Sequence, residues 1–181
     1  MELVVVIAIL GVLLGLVVPG LGRARGLGRS TVCLGNLHQI GIALQLYVDD
    51  HGHCMPVMRD KAVAGEVEPG DAGKAGSVPE PAVPSPDLVL AQVLSAPAVF
   101  RCPSDRARLF ENTGSSYSWN SLLNGQDPDR LRVMSLDLEA HQVPVFFDKE
   151  GFHRERGPGK AVNFLYADGH LKNRLVLEGG R

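Results

Sequence analysis

Residues 3–18 are sixteen consecutive apolar or glycine positions, and Glu2 is the only charge ahead of Arg23. As a helix rising 1.5 Å per residue, such a run spans roughly 24 Å, short of the roughly 30 Å hydrocarbon core of a bilayer. Pro19 then interrupts the pattern, followed by Gly20, Gly22, Gly26 and Gly28. Each interior glycine costs about 1 kcal/mol relative to alanine, so residues 19–28 read as a weak or kinked stretch. Helical periodicity returns after Ser30. Leu37, Ile40, Gly41, Leu44, Tyr47 and Val48 fall on one stripe, while Asn36, His38, Gln39, Gln45 and Asp49 fall on the wetter side. The pattern allows a restart capped by Ser30 or Thr31, or one continuous bent helix from residue 2 to about residue 50. Gly52 suits the left-handed position that ends a helix. A stripe apolar on one face requires a globular partner.

That partner is predicted further on. Residues 62–87 carry five of the twelve prolines, four glycines and no aromatic residue, the composition of a loop or disordered excursion. Residues 87–94, DLVLAQVL, read as a short helix capped by Asp87. Strand-like segments follow at 116–120 (SYSWN), 143–148 (VPVFFD), 162–167 (VNFLYA) and 170–177 (HLKNRLVL). Asp168-Gly169 between the last two is a strong hairpin signal. Val162, Phe164 and Tyr166 share one face of the first arm, and Leu171, Leu175 and Leu177 share one face of the second. A short antiparallel sheet laying that face on the Leu37–Val48 stripe gives an α+β fold: one long N-terminal helix packed on a small antiparallel sheet. The organisation expected is an apolar helix half (1–21), an amphipathic half (22–52), a variable Pro/Gly-rich loop with a short helix (53–99) and a sheet domain (100–181).

Charge and cysteine content narrow the chemistry. The net charge is −2, but residues 1–30 hold Arg23, Arg25 and Arg29 against Glu2, a net of +2, leaving −4 for the rest. Without interleaved aromatics those arginines do not make a nucleic-acid site; beyond an apolar run they suit lipid phosphates or acidic partners. By the positive-inside rule they would also place the C-terminal side in the cytoplasm unless further basic residues preceded the run. Cys33, Cys54 and Cys102 allow one intrachain disulfide, and no CxxC pair suggests zinc. Cys54 with Cys102 is the pairing favoured in an exported domain, with Cys33 left over; free buried thiols are the alternative.

The polar clusters have plain structural explanations. Asp49, Asp50, His51, His53 and Cys54 resemble a metal cluster but sit where a helix terminates in solvent. Asp148, His153, Asp168 and His170 supply acids and imidazoles near the hairpin, and Asp168 is accounted for as a turn residue. No nucleophile elbow, phosphate-cradling loop or HExxH occurs. No cofactor is expected. Gly11 and Gly15 form a GxxxG pair, which permits close approach of another helix and is also common by chance in apolar runs. Glu2 has two readings. It is an interfacial carboxylate favoured by the helix dipole, or a carboxylate that pairs with a cation of another subunit in an apolar core.

The segment MELVVVIAILGVLLGLVVPGLGRAR resembles the N-terminus of type IV pilins and type II secretion pseudopilins. In that family a basic leader ending in Gly is cut before a Phe, a Glu follows a few residues into the mature chain, and the apolar helix runs to a proline. Glu2 and Pro19 match those positions. The continuation CLGNLHQIGIALQLYVDDHG, then FRCPSD, SYSWN and NFLYADGHL, is similar to a pilin-like subgroup ending in a His…Asp-Gly signature. The chain departs from the family in beginning at Met1, without a leader, which suggests a mis-assigned start or a truncated reading frame. It departs from the subgroup in carrying Pro158 nine residues before the Asp168-Gly169 signature, where a histidine is usual; the nearest preceding histidine is His153.

The resemblance implies a non-enzymatic structural subunit of a pilus or pseudopilus, single-pass in a bacterial inner membrane with its sheet domain outside, before an ATPase-driven machine packs its helix into a filament core. Glu2 would neutralise a neighbour's N-terminal amine, and Pro19, Gly20 and Gly22 would let the helix bend on leaving lipid. Its partners would be other pilin-like subunits, the assembly machinery and, given a full leader, a prepilin peptidase; no nucleic acid is expected. Two other functions compete. One is a membrane-tethered module that binds an exported substrate or glycan through residues 55–99 and the sheet. The other is a secreted enzyme with an N-terminal signal peptide, which lacks both a basic head and a catalytic constellation.

Overall fold

The computed structural model describes residues 2–62, 83–94, 96–133 and 136–175, with the side chains of residues 2, 8, 16–20 and 23 outside that description. A single helix, α1, runs unbroken over Glu2–Asp50. Of the two readings open in the sequence, the continuous helix is the one adopted: it passes through Pro19, Gly20 and Gly22. Thr31 does not cap a restart, because its Oγ1 donates back to the Leu27 carbonyl at 3.2 Å, one helical turn earlier. The helix stops where expected. Gly52 takes φ +67°, and the His53 N–H reaches back to the Val48 carbonyl at 2.9 Å, closing a Schellman-type cap. Among the described residues no helix is long and apolar enough to cross a membrane.

Among the described residues there follow two short helices, α2 (Pro86–Val89) and α3 (Leu109–Thr113), and six strands: β1 (Tyr117–Trp119), β2 (Leu131–Val133), β3 (Leu136–Leu138), β4 (Pro144–Asp148), β5 (Phe164–Tyr166) and β6 (Leu171–Lys172). The expected helix at 87–94 is one α-turn followed by a 3-10 turn at Leu90–Gln92. Its N-cap is Ser85 with Pro86 at the first helical position, not Asp87; Asp87 instead pairs with Lys61 at 3.0 Å. The main sheet has the order β1-β4-β5-β6, entirely antiparallel, and β2 with β3 forms a separate hairpin that the sequence did not announce. The Asp168-Gly169 turn between β5 and β6 is present, with Gly169 at φ +85°. Residues 176–177 of the last expected strand and residues 63–82 of the variable loop lie outside the described residues.

The C-terminal half of α1 lies on this sheet. Ser30, Cys33, Leu37, Ile40, Ala43, Leu44 and Val48 are buried, a stripe that extends the Leu37–Val48 face about two turns towards the N-terminus. Contact is close at Gly41, where a Cβ would lie 3.1 Å from Leu165 Cδ1. The face of β5 against the helix is therefore the Leu165 face, not the expected Val162/Phe164/Tyr166 face. Strict alternation fails because β5 is buried on both sides: Leu165 lies under α1, and the Tyr166 ring lies under His170, stacked at 4.2 Å between centroids. A second anchor is Asn124. Its Oδ1 accepts from Trp119 Nε1 (2.8 Å) and Met58 N (3.1 Å), and its Nδ2 donates to the Met58 carbonyl (3.0 Å), fastening the segment after α1 to the domain.

Candidate functional site

The described side chains of residues 3–15 on α1 are all exposed. Its described large apolar side chains between residues 3 and 14 are all between 52% and 77% exposed, and they point to every side of the helix rather than along one stripe. An all-round apolar helix normally belongs to an interior, either a protein core or a membrane. Among the described residues a Cβ at Gly11, Gly15 or Gly22 meets nothing within 4 Å, so these positions are open to an approaching surface. The side chains of Glu2, Pro19 and Gly20 lie outside the described residues, so neither the expected pairing of Glu2 nor a bend at Pro19 has a geometry to report.

The free half of α1 meets the folded body at Gly26, which is buried where a Cβ would lie 2.9 Å from Glu155 Cγ. Seven residues further, the helix is tied covalently. The disulfide joins Cys33 to Cys102, with a Cα–Cα distance of 5.3 Å; Cys54, expected to pair with Cys102, is an exposed free thiol. The reason is helical phase. Cys33 lies four and seven residues before Leu37 and Ile40, on the buried stripe, whereas Cys54 follows the Gly52 turn and faces solvent. The FRCPSD segment is built to present Cys102. The Asp105 N–H bonds the Cys102 carbonyl (2.9 Å), Ser116 Oγ accepts from Cys102 N (3.1 Å) and donates to Asp105 Oδ2 (2.7 Å), and Asn36 Nδ2 of α1 donates to the Arg101 carbonyl (2.8 Å). Asn36 also donates to the Tyr117 hydroxyl at 3.3 Å; burial pushes that phenol well above its usual pKa and keeps it protonated.

Behind the disulfide lies a sealed polar pair. His153 Nε2 stands 3.7 Å from Cys102 Sγ and 3.5 Å from Asp148 Oδ2, and both the His153 and the Asp148 side chains are 0% exposed. Burial raises the Asp148 carboxyl to about 7, against opposing hydrogen bonds from Asn163 and the charge of Arg156. Burial, assisted by Arg156 and Arg29 and opposed by Glu155, lowers the His153 imidazole to about 4. Between those values both groups are uncharged, so this is not an ion pair. The loop after β4 brings them together: the His153 N–H bonds the Ala161 carbonyl (3.0 Å), and Asn163 N donates to Asp148 Oδ2 (2.7 Å).

The remaining acids and imidazoles from the sequence separate into unrelated places. Asp168 and His170 form their own turn: His170 N and Nδ1 both approach Asp168 Oδ1, at 3.1 and 2.5 Å. Partial burial pushes the Asp168 carboxyl up, but these His170 contacts outweigh it and hold the carboxyl below its usual value. His53 does not gather with Asp49, Asp50 and Cys54; it reaches Asp129 at 3.1 Å, beside Asp127, in an exposed cluster. Helical phase would have revealed the Cys33 pairing. The closure of Asp148 and His153 onto Cys102 depends on the chain path and had no local signal. No protein-family model, curated protein or solved structure matches the chain.

Proposed function

We propose that this chain is a non-enzymatic structural subunit that assembles through the N-terminal half of α1, as type IV pilins and type II secretion pseudopilins do. The observation that carries the reading is the all-round apolar exposure of residues 3–14 on a helix whose other half is bolted to a folded domain. Completing the burial of those half-exposed side chains is worth roughly 1 kcal/mol each, on the order of 10 kcal/mol together. A free monomer in water forfeits all of it; a bundle of like helices recovers it. Glu2 then supplies the one charge inside such a bundle, satisfied by an amine of the neighbouring subunit.

Before assembly the apolar half rests in the inner membrane, with the sheet domain on the outer side. A run near 24 Å is accommodated there by local thinning of the bilayer. Assembly then draws the chain from lipid into the filament, with pilin-like copies, the assembly machinery and a prepilin peptidase as partners.

The test is Glu2→Ala in the full-length chain, read by membrane fractionation and by recovery of sheared filaments. The variant should stay in the membrane fraction and lose at least about tenfold in filament incorporation, the cost of roughly 1.4 kcal/mol per subunit contact. Normal incorporation of the variant refutes the reading. Absence of wild-type chain from any filament favours the tethered binding module.

A further inference from the structure

Cys33, Cys102 and His153 place three metal-ligand atoms within 4.8 Å of one another, all on buried residues, and Asp148 lies immediately beside them. The four groups come from separate parts of the fold. Cys33 lies on α1, Cys102 in the turn before α3, Asp148 at the end of β4 and His153 in the loop that follows. Their partners in the folded chain are incomplete. Asp148 Oδ1 and His153 Nδ1 are buried without a hydrogen-bond partner among the described residues, and the 3.5 Å between His153 Nε2 and Asp148 Oδ2 is too long for an O–H···N bond. A disulfide, an imidazole and a carboxyl group so placed use little of their bonding capacity, in a core where an unmade bond costs about 1–3 kcal/mol. An apolar residue in place of His153 would fill the same space without that cost.

The separations fit a shared ion. Two ligands of one tetrahedral zinc stand about 3.6 Å apart for sulfur and nitrogen and about 3.3 Å for nitrogen and oxygen, from metal–ligand distances of about 2.3 and 2.0 Å. The observed 3.7 and 3.5 Å lie close to both. We propose that the reduced form of this chain holds a zinc ion on Cys33, Cys102 and His153, with Asp148 as the nearest further donor, and that the disulfide and the zinc site are alternative states of the same residues.

The interconversion balances. A dithiol reductant passes two electrons and two protons to the Cys33–Cys102 bond, which breaks to two thiols, and the reductant becomes a disulfide. Zinc displaces one proton from each thiol and takes the lone pair of the neutral imidazole. Two thiolates cancel the charge of the ion, so the metal enters the core without a net charge. Either state ties α1 to the turn before α3. The chain therefore has a clasp in a reducing compartment as well as an oxidising one, and the zinc form would hold the domain folded until export.

The test uses the untagged full-length chain carrying Cys54→Ser, so that the exposed thiol does not compete. After reduction by a phosphine and addition of zinc, gel filtration and metal analysis should give about one zinc per chain, and the oxidised chain should give none. Cobalt substitution should produce a thiolate-to-cobalt charge-transfer band with tetrahedral ligand-field intensity. His153→Gln should weaken zinc binding at least about 100-fold and Asp148→Asn about 10- to 100-fold, the range for a weakened ligand shell. If the reduced chain unfolds without metal, zinc should restore its circular-dichroism spectrum, and should fail to do so for His153→Gln. A reduced chain that takes up no zinc overturns the proposal. So does one that stays unfolded with zinc, or one whose His153→Gln variant binds zinc within about threefold of the parent.

Discussion

Replacing Cys33 with serine opens a loop closed by a sequence separation of 69 residues. In the chain-entropy treatment a loop of that length removes about 15 cal/mol/K from the unfolded ensemble, or about 4 kcal/mol at 25 °C. The structure adds to that figure rather than subtracting from it, because Cys33 and Cys102 are both fully buried and the serine hydroxyl meets an apolar stripe. Cys54→Ser, at an exposed thiol, should fall within about 0.5 kcal/mol of the parent. The assay is urea unfolding of the oxidised variants with a chelator present, so that bound metal adds nothing. Non-reducing peptide mapping of the parent should recover the 33–102 cross-link. Cys33→Ser should lower the midpoint of thermal unfolding by roughly 10 °C for a domain of this size. A peptide linking Cys54 to Cys102 refutes the reasoning, as does a Cys54→Ser variant that loses as much stability as Cys33→Ser.

Two further outcomes follow from the buried polar groups. In the oxidised, chelated chain, the Asp148–His153 pair should leave stability nearly flat from about pH 4 to about pH 6.5: folding gives Asp148 a proton, because its carboxyl is raised to about 7, and takes one from His153, whose imidazole is lowered to about 4. Asp148→Asn removes the first half, leaving an unfolded state that binds the extra proton. Stability should then be complete above the ordinary histidine pKa and fall by about 3 kcal/mol as pH drops from about 6.5 to about 4. Arg156, Arg29 and Glu155 are the charged groups acting on His153 in this window, and a flat Asp148→Asn profile by calorimetry would contradict the assignment. Asn124→Ala strips partners from Trp119 Nε1 and from both backbone groups of Met58, and should cost about 3 kcal/mol in denaturant unfolding. Trp119 is the only tryptophan, so its fluorescence reports the change directly, and a loss under about 1 kcal/mol would show that water replaces the amide.

The long helix, the α+β class and the strands at 116–120, 143–148 and 162–167 were legible because each carries a periodic apolar pattern next to a turn or cap residue. Gly52 and Asp168-Gly169 mark their turns for the same reason: a left-handed backbone needs a residue without a Cβ penalty, and that need is visible in the sequence. The β2–β3 hairpin was not legible. Its arms, Leu131-Arg132-Val133 and Leu136-Asp137-Leu138, alternate apolar and polar residues but are three residues each, shorter than the run of four or more that distinguishes a strand. The face of β5 was misread because alternation assumes that one side of a strand meets water, whereas β5 is covered on both.

The cysteine pairing shows where local reasoning stops and geometry begins. Cys54 lies nearer to Cys102 in sequence than Cys33 does, and that proximity favours it only slightly: lengthening the loop by less than a factor of two costs under about 0.6 kcal/mol in closure entropy. Helical phase opposes that choice more strongly, because bringing Cys54 inward would undo the turn that ends α1, where the His53 N–H and Val48 carbonyl are bonded and Met55 is already buried in the core. Burial of Met55 alone is worth about 1.5–3 kcal/mol. Packing therefore selects Cys33, whose sulfur lies within 4.8 Å of a His153 ring nitrogen, beside the Cys102 sulfur at 3.7 Å. The same helical register that closes the disulfide also aims its sulfurs at the imidazole, so one phase relation along α1 accounts for both states of the clasp.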